Sequence, residues 1–465
     1  MSIASSCAAN SLASLLHAHR SLFDMSATPS TLPATAGAAR DHTGGPDRTP
    51  ARAILTVLLA LALPGGASAG AGPPAKAASS GGRASTSKRV RAKKETTIYW
   101  SPAAVRPRRA IVEEGSVIAL DVGPGKAGPG CREAWAPVAG GGFLCPDAVE
   151  PTQAPVRAAP PLLDGLLPFV FVHRQESKAF SYAFLPGEGA DKQRLYRRGK
   201  LLDESRYKRH VPSRFRGWNL ESHPLPDRDL VPGWTVAAEA PVYATPSTSA
   251  TPVARLARHT PLLVSRRPAA TGWRQVRDAQ GRRTLGFMRE DDKLRYWVES
   301  APVQGLGEGE TWLDIDVGQQ MIALRRLGVG PVYVTLVSTG LVERPSPLGV
   351  FRLEHKLAYR SMGNLPDSAD RYFIENVPWA MYFLPNFAIH GAYWHDEFGN
   401  RRSHGCVNLA PRDARFIYEQ VPPKHQPGFF HTFASEQAPG AVVRLRDSSR
   451  DAISRGGTVR GGTQS

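Results

Sequence analysis

Short apolar runs separated by turn residues fill the chain from about residue 95, and their alternation has the period of strands rather than helices. Between residues 95 and 151 the runs are "TTIYW", "AIVEEGSVIALDV", "AWAPV" and "GGFLC". Residues 231–300 repeat the grammar with "APVYATP", "ARLARHTPLLV", "GWRQV" and "TLGFM". In each segment a tryptophan stands three positions before a valine (Trp135/Val138, Trp273/Val276) and a Gly-Phe pair follows (Gly142-Phe143, Gly286-Phe287). Strands this short and this closely spaced predict two small β-barrels, and two copies are too few for a solenoid.

Residues 152–230 connect these segments; they hold the run "LPFVFVHR" and many charges, and no fold is assigned to them. From Thr311 the pattern sharpens. "WLDIDVGQQMIALRR" predicts strand, turn, strand, and the β-branched "PVYVTLVSTG" predicts a buried strand closed by Gly340. "SPLGVFRLEHKL" turns into a further strand, and "GAVVRLRD" (Gly440–Asp447) is the last one. In "APRDARFIYEQV", Pro411 near the first turn and Ala414, Ile417 and Tyr418 at helical spacing predict a helix. The expected fold is mainly β. A sandwich-like domain over 308–447, with one or two short helices, follows the two barrels, and residues 448–465 form a tail without core-forming content.

Composition changes the picture at the N-terminus. The 465 residues are too many for one ordinary core, and 40 prolines and 44 glycines suit a strand-and-loop architecture. The formal net charge is +17, concentrated in residues 83–109 and nearly balanced after Trp312. Such a basic stretch suits a polyanion or serves as a solvated tether. No aromatic-interleaved motif accompanies it, so nucleic acid is not an expected partner. Arg48 and Arg52 precede the apolar run "AILTVLLALAL" (Ala53–Leu63), followed by Pro64-Gly65-Gly66 and the small-residue pattern Ala67-Ser68-Ala69. This is the pattern of a cleaved export signal, too short for a comfortable membrane span. Residues 1–69 read as an extension plus signal, with Met25 a candidate for a later start, and residues 70–94 as a basic low-complexity linker. The expected location is the periplasm or cell wall.

Export bears on the cysteines. Loss of the signal removes Cys7 and leaves Cys131, Cys145 and Cys406. In an oxidising compartment Cys131 and Cys145 are close enough in sequence to bridge, and Cys406 is then the odd thiol, either buried and inert or kept for its chemistry. It lies in "IHGAYWHDEFGNRRSHGCVNL" (Ile389–Leu409). Gly405 would let a substrate carbonyl approach the main chain, where N–H groups can form an oxyanion hole. A thiol of ordinary pKa needs a base nearby, and His390 and His404 are the candidates. Arg401 and Arg402 would favour anionic groups. The same residues also fit a small buried cysteine with structural histidines, or a zinc site, although the spacing lacks the short ligand pairs of structural zinc.

Residues 311–447 resemble the L,D-transpeptidase (YkuD-type) catalytic domain of bacterial cell-wall enzymes. The signature is a histidine, a variable loop, then Ser/Thr-His-Gly-Cys-apolar-Asn/Arg, met here by His390 and Ser403, His404, Gly405, Cys406, Val407 and Asn408. "WLDIDVGQQ", "VSTG", "SPLGVF" and "VPWAMYF" match in order; Ser346-Pro347-Leu348-Gly349 stands where the family often has Thr-Pro-Thr-Gly. The two barrels resemble bacterial SH3-like modules.

The resemblance implies that Cys406 attacks the carbonyl joining the third residue of a stem tetrapeptide to its terminal D-alanine. His390 would take the thiol proton, the Gly391 carbonyl would hold the imidazole, and amides near Gly405 and Cys406 would bind the oxyanion. A diaminopimelate amine on a second strand would then accept the acyl group, giving a 3→3 cross-link without ATP, metal or other cofactor. Ser403, His404 and Asn408 are candidate substrate contacts, and Tyr393 and Trp394 candidate walls of the acceptor cleft. Carbapenem-type inhibitors are expected to acylate the thiol. An L,D-carboxypeptidase would use the same pair with water as acceptor, and a wall-binding scaffold with a vestigial catalytic domain is the non-enzymatic rival. Oligomeric state stays open.

Overall fold

A computed structural model describes residues 88–156 and 212–449, apart from residue 292 and residues 364–371, together with the backbone of five short strands between residues 170 and 209. The export signal, most of the linker read before the first barrel, and the tail from residue 450 lie outside the described residues. Mainly β architecture is observed, with Pro411–Gln420 the one α-helix among the described residues. Its buried residues include Ala414, Ile417 and Tyr418, the stripe that predicts it.

The C-terminal domain is built around a strand that serves two sheets. Gly330–Ser338 pairs with Met321–Arg326 through residues 330–336, then passes to Val407–Leu409 through Val337 and Ser338. On one side the order continues through Thr311–Asp316 and Val442–Arg446 to Gly349–Arg352. On the other it runs through Val407–Leu409, Phe387–Gly391, Phe373–Leu384 and His355–Gly363 to His431–Phe433. One core joins the two halves: Leu313, Ile315 and Ile322 from the first meet Met381, Ile389, Val407 and Leu409 from the second, with Ile417 of the helix between.

Asp314 ties the first half together. It is wholly buried and takes Arg444 Nη2 at 2.9 Å, Arg446 Nε at 3.2 Å and Arg325 Nη1 at 3.3 Å. Burial alone would push its carboxyl up, but Arg444 and Arg446 more than offset that and hold it below the ordinary carboxylate range. Ser300 Oγ also donates to Asp314 at 2.5 Å, which fastens the stretch arriving from residues 231–300.

The two N-terminal segments repeat each other physically. In both, a tyrosine meets the repeated tryptophan edge-on: Tyr99–Trp135 at 5.8 Å and Tyr243–Trp273 at 5.4 Å. In both, the repeated glycine has positive φ and no room for a side chain. A Cβ on Gly142 would lie 2.8 Å from the Tyr99 carbonyl oxygen, and one on Gly286 2.3 Å from that of Tyr243. Val138 and Val276 are fully buried. The repeated residues are therefore those that let two strands cross closely over an aromatic pair.

Neither segment is a free-standing bead. Arg108–Val112 pairs with His431–Phe433, so the first segment continues the sheet of the C-terminal domain. It also begins earlier than its sequence pattern suggests: Arg89–Ala92, inside the stretch read as linker, is a strand between Val117–Ala119 and Val149–Pro151, with Val90 and Ala92 buried. Cys131 and Cys145 are bonded to each other. The connector read without a fold contributes Trp218–Asn219, a short strand on Gly330–Ser338, and Gly217 N–H donates to the buried Asp413 carboxylate at 3.0 Å. The second segment, from Leu230, shares a core with the C-terminal domain: Val231, Trp234, Val236 and Val264 pack with Met321, Val334, Leu336 and Phe398.

Excision of residues 231–300 should uncover Met321, Val334 and Leu336. At about 1.5–3 kcal/mol per large apolar side chain that loss rivals a domain's whole stability of about 5–15 kcal/mol. The shortened chain should bind a hydrophobic dye strongly and lose its cooperative urea transition; a sharp transition without dye binding would contradict the shared core.

Candidate active site

The histidine and cysteine of the "SHGC" stretch are brought together by one parallel pairing. Ile389 lies opposite Val407, His390 opposite Asn408 and Gly391 opposite Leu409. Parallel neighbours need a long crossover, and residues 392–406 supply it. Ile389, Val407 and Leu409 point into the core and are fully buried. By alternation His390 and Asn408 take the opposite face, and Cys406, one residue before its strand, follows them as a diagonal neighbour of His390. All three line a cleft of about 360 Å³, walled also by Leu341, Met362, Tyr372 and Trp394. A larger cavity of about 670 Å³ lies between the second segment and the C-terminal domain. In it Arg274 is paired with Glu290 and Glu299 with Arg325, and no cysteine or histidine lines it.

His390 Nδ1 lies 3.4 Å from the Gly391 carbonyl oxygen. With the proton on Nδ1, Nε2 is the basic nitrogen. Burial pushes its pKa down to about 4, slightly opposed by that carbonyl. The half-buried Cys406 thiol donates to the Asn386 carbonyl at 3.9 Å. Burial pushes the thiol above its ordinary pKa, and the Ala388 backbone opposes the shift. The resting groups are thus a neutral thiol turned to the Asn386 carbonyl and a neutral imidazole, both lining the same cleft. Catalytic hydrogen bonds commonly form only once substrate is bound.

The loop before the cysteine is pinned on all sides. Gly405 has φ +115°, and a Cβ there would stand 2.6 Å from the Phe387 ring. Its carbonyl accepts from Ser346 Oγ at 2.7 Å, and Ser346 Oγ accepts from Gly340 N–H at 3.0 Å. Ser346 opens the Ser-Pro-Leu-Gly departure noted in the sequence; its hydroxyl anchors the cysteine loop, a role no local pattern announces. Arg402 N–H and Ser403 N–H both donate to the Thr339 carbonyl.

The remaining sequence candidates divide. Gly405 N–H donates to Ser403 Oγ at 3.1 Å, so the expected oxyanion donor at Gly405 is already engaged. Ser403 Oγ–H in turn reaches the Cys406 carbonyl, which makes its bonds local to the loop. His404 lines the cleft and stacks on Tyr372 at 4.5 Å. Trp394 lines the cleft, but Tyr393 does not: its ring is buried in the central core and its hydroxyl donates to the Glu375 carbonyl at 2.8 Å. Adjacent residues leaving a strand face opposite ways, so only one of the two could reach the wall. Among the described residues the one cluster with metal-ligand spacing is Cys131, Cys145 and Asp147, where the sulfur–sulfur bond removes both thiolates.

Residues 310–439 match the family model of the YkuD L,D-transpeptidase catalytic domain. L,D-transpeptidase 1 of Mycobacterium tuberculosis is 29% identical over 147 residues, which are 27% of this chain and 57% of that protein. YciB of Bacillus subtilis is 23% identical over 130 residues, 24% of this chain and 61% of that protein. The chain thus spans about 60% of the length of the curated relatives it matches. Among solved structures, the catalytic domain of an Enterococcus faecium L,D-transpeptidase is 20% identical, covers 30% of this chain and 100% of that one, and has a TM-score of 0.24. L,D-transpeptidase 3 of Mycobacterium tuberculosis with a faropenem-derived adduct is 17% identical, covers 41% of this chain and 75% of that one, also at 0.24.

Because burial raises the Cys406 pKa, iodoacetamide labelling of the folded chain, followed at Cys406 by peptide mapping, should keep accelerating with pH through 9. A plateau below pH 8 would mean that the resting thiol is already activated.

Proposed function

We propose that this chain is a peptidoglycan L,D-transpeptidase that forms 3→3 cross-links through a Cys406 thioester. One observation carries the reading: an unpaired thiol and a neutral imidazole, held on one face by adjacent parallel strands, open into the same cleft. The match of residues 310–439 supplies the family, and the chemistry follows from the groups present.

The reaction has two halves. Cys406 Sγ forms a bond to the carbonyl carbon between the third residue of a donor stem and its terminal D-alanine, while its proton passes to His390 Nε2. The tetrahedral intermediate collapses as His390 returns that proton to the departing amine, and D-alanine leaves. In the second half a diaminopimelate side-chain amine attacks the thioester, gives its proton to His390 and releases the thiol. Arg401, Arg402 and His404 on the rim suit the carboxylates of such stems. A neutral pair suits this sequence, because His390 must accept a proton at neutral pH. Export to the periplasm or wall, and wall recognition by the two N-terminal modules as SH3-like domains, belong to the same proposal.

Imipenem should add its acyl group to Cys406, as intact-mass and peptide spectra would register; relatives of this domain are known in complex with imipenem and as an avibactam carbamoyl enzyme. Cys406→Ala should give no adduct, and His390→Ala should slow acylation by roughly 10²–10⁴. An unmodified Cys406 on folded wild-type protein would remove the reading. Muropeptides from expressing cells should gain 3→3 dimers that vanish with Cys406→Ala; a rise in tripeptide monomers instead would assign an L,D-carboxypeptidase.

The pH profile of acylation follows from the base. Since His390 is pushed down to about 4, it stays neutral and able to accept a proton above that pH. The acid limb should therefore fall near pH 4. A limb at the ordinary histidine value of about 6.5 would show that the buried imidazole is solvated or paired during the reaction.

A further inference from the structure

The crossover between histidine and cysteine holds another imidazole. His395 is buried, and its two ring nitrogens have different neighbours. Glu397 N–H donates to Nδ1 at 3.2 Å, and the side-chain amide of Asn408 meets Nε2 at 3.1 Å. A neutral imidazole carries one N–H. With Nδ1 accepting from Glu397, that N–H is on Nε2, and the Asn408 atom facing it must accept. The amide nitrogen Nδ2 stands there, 3.1 Å away, which sets two donors against each other, while Oδ1 is buried without a partner among the described residues. Amide oxygen and nitrogen are told apart by their hydrogen bonds, and here those bonds require the carbonyl oxygen on Nε2. Burial, with Arg402 and His390 adding to it, pushes the His395 pKa down to about 3, so the ring is neutral.

Turning the amide puts its NH₂ where Oδ1 stood, on a side chain that lines the cleft directly across the strand pair from His390. We infer that His395 is a positioning residue: it grips Asn408 by the carbonyl and keeps the amide N–H, buried behind the resting cleft wall, as a donor for a substrate carbonyl or oxyanion that presses into that wall. This rests on the acyl-transfer reading.

The second N-terminal segment extends the grip. His259, in the left-handed region at φ 60°, places Nε2 3.1 Å from the Phe398 carbonyl, and its ring packs on Phe215 at 4.7 Å. Arg258 donates to the Asp396 carbonyl at 3.2 Å and Arg295 to that of Gly399 at 3.0 Å. Gly399 N–H donates to the Val337 carbonyl, and a Cβ on Gly399 would lie 2.2 Å from Val236 Cγ1. Phe398, so held, packs on the His395 ring at 4.8 Å. The segment therefore fixes the loop that fixes His395, and through it the Asn408 amide.

The test is the rate of Cys406 acylation by imipenem in the full chain, resolved into apparent affinity and the acylation step. His395→Phe fills the space without an N–H; it should slow the step about 10- to 100-fold, short of the roughly 10²–10³ for outright loss of an oxyanion donor, with little change in affinity. His395→Gln offers an N–H to Asn408 and should return the rate to within a few-fold of wild type. His259→Leu should slow the same step by less. A Phe variant at the wild-type rate, or a Gln variant as slow as Phe, would overturn the inference. ¹⁵N NMR of the wild-type ring should show the Nε2–H tautomer; an Nδ1–H tautomer would overturn it independently. If wild-type protein takes no imipenem, the acyl-transfer reading fails, and the tautomer alone decides the orientation of Asn408.

Discussion

The site exists because two short strands run parallel in one register. A slip of one residue between Phe387–Gly391 and Val407–Leu409 would carry Cys406 and Asn408 to the core face and leave Val407 and Leu409 in the cleft. The register is defended by burial on one side, where Ile389, Val407 and Leu409 are inaccessible, and by the anchoring of the loop on the other. Ser346 holds the Gly405 carbonyl, Thr339 holds Arg402 and Ser403, and Phe387 forbids any side chain at Gly405. Cys406 and His390 are placed by strand pairing and their surroundings by side-chain anchors.

Much of this could be read beforehand where local chemistry and local structure coincide. Pro411 with Ala414, Ile417 and Tyr418 marks the helix because one face of it is apolar. The repeated Trp, Val and Gly-Phe marks the two N-terminal segments because a close strand crossing needs those residues. Cys406 and His390 stand out because an odd thiol beside glycine is chemically conspicuous. Other elements escape for physical reasons. Phe373–Leu384 is buried along most of its length and so shows no alternation. Arg89–Ala92 hides two inward residues among arginines. Ser346 and His259 act across long sequence distances, and Tyr393 differs from Trp394 only in the direction it leaves the strand.

The N-terminal segments look in sequence like separable modules, yet they are structural parts of the C-terminal domain. The second shares a core with it and grips the Asp396–Gly399 loop; the first continues its sheet. The three parts are therefore built on one framework, and the second segment touches the loop behind the cleft directly. The connector contributes to this unity, since Gly217 and Trp218 dock on Gly330–Ser338 and on Asp413 at the start of the helix.

The pairing of Arg108–Val112 with His431–Phe433 joins residues more than three hundred positions apart. Closing so large a loop adds only a slowly growing entropy, so the finished molecule tolerates it. Assembly is another matter, because contacts so distant in sequence form late. Until His431–Phe433 is made, that edge of the first segment lacks its partner and is a bare template for another chain. Nascent copies thus pass through a window in which self-association competes with completion, and that window closes only when His431–Phe433 comes back to meet Arg108–Val112.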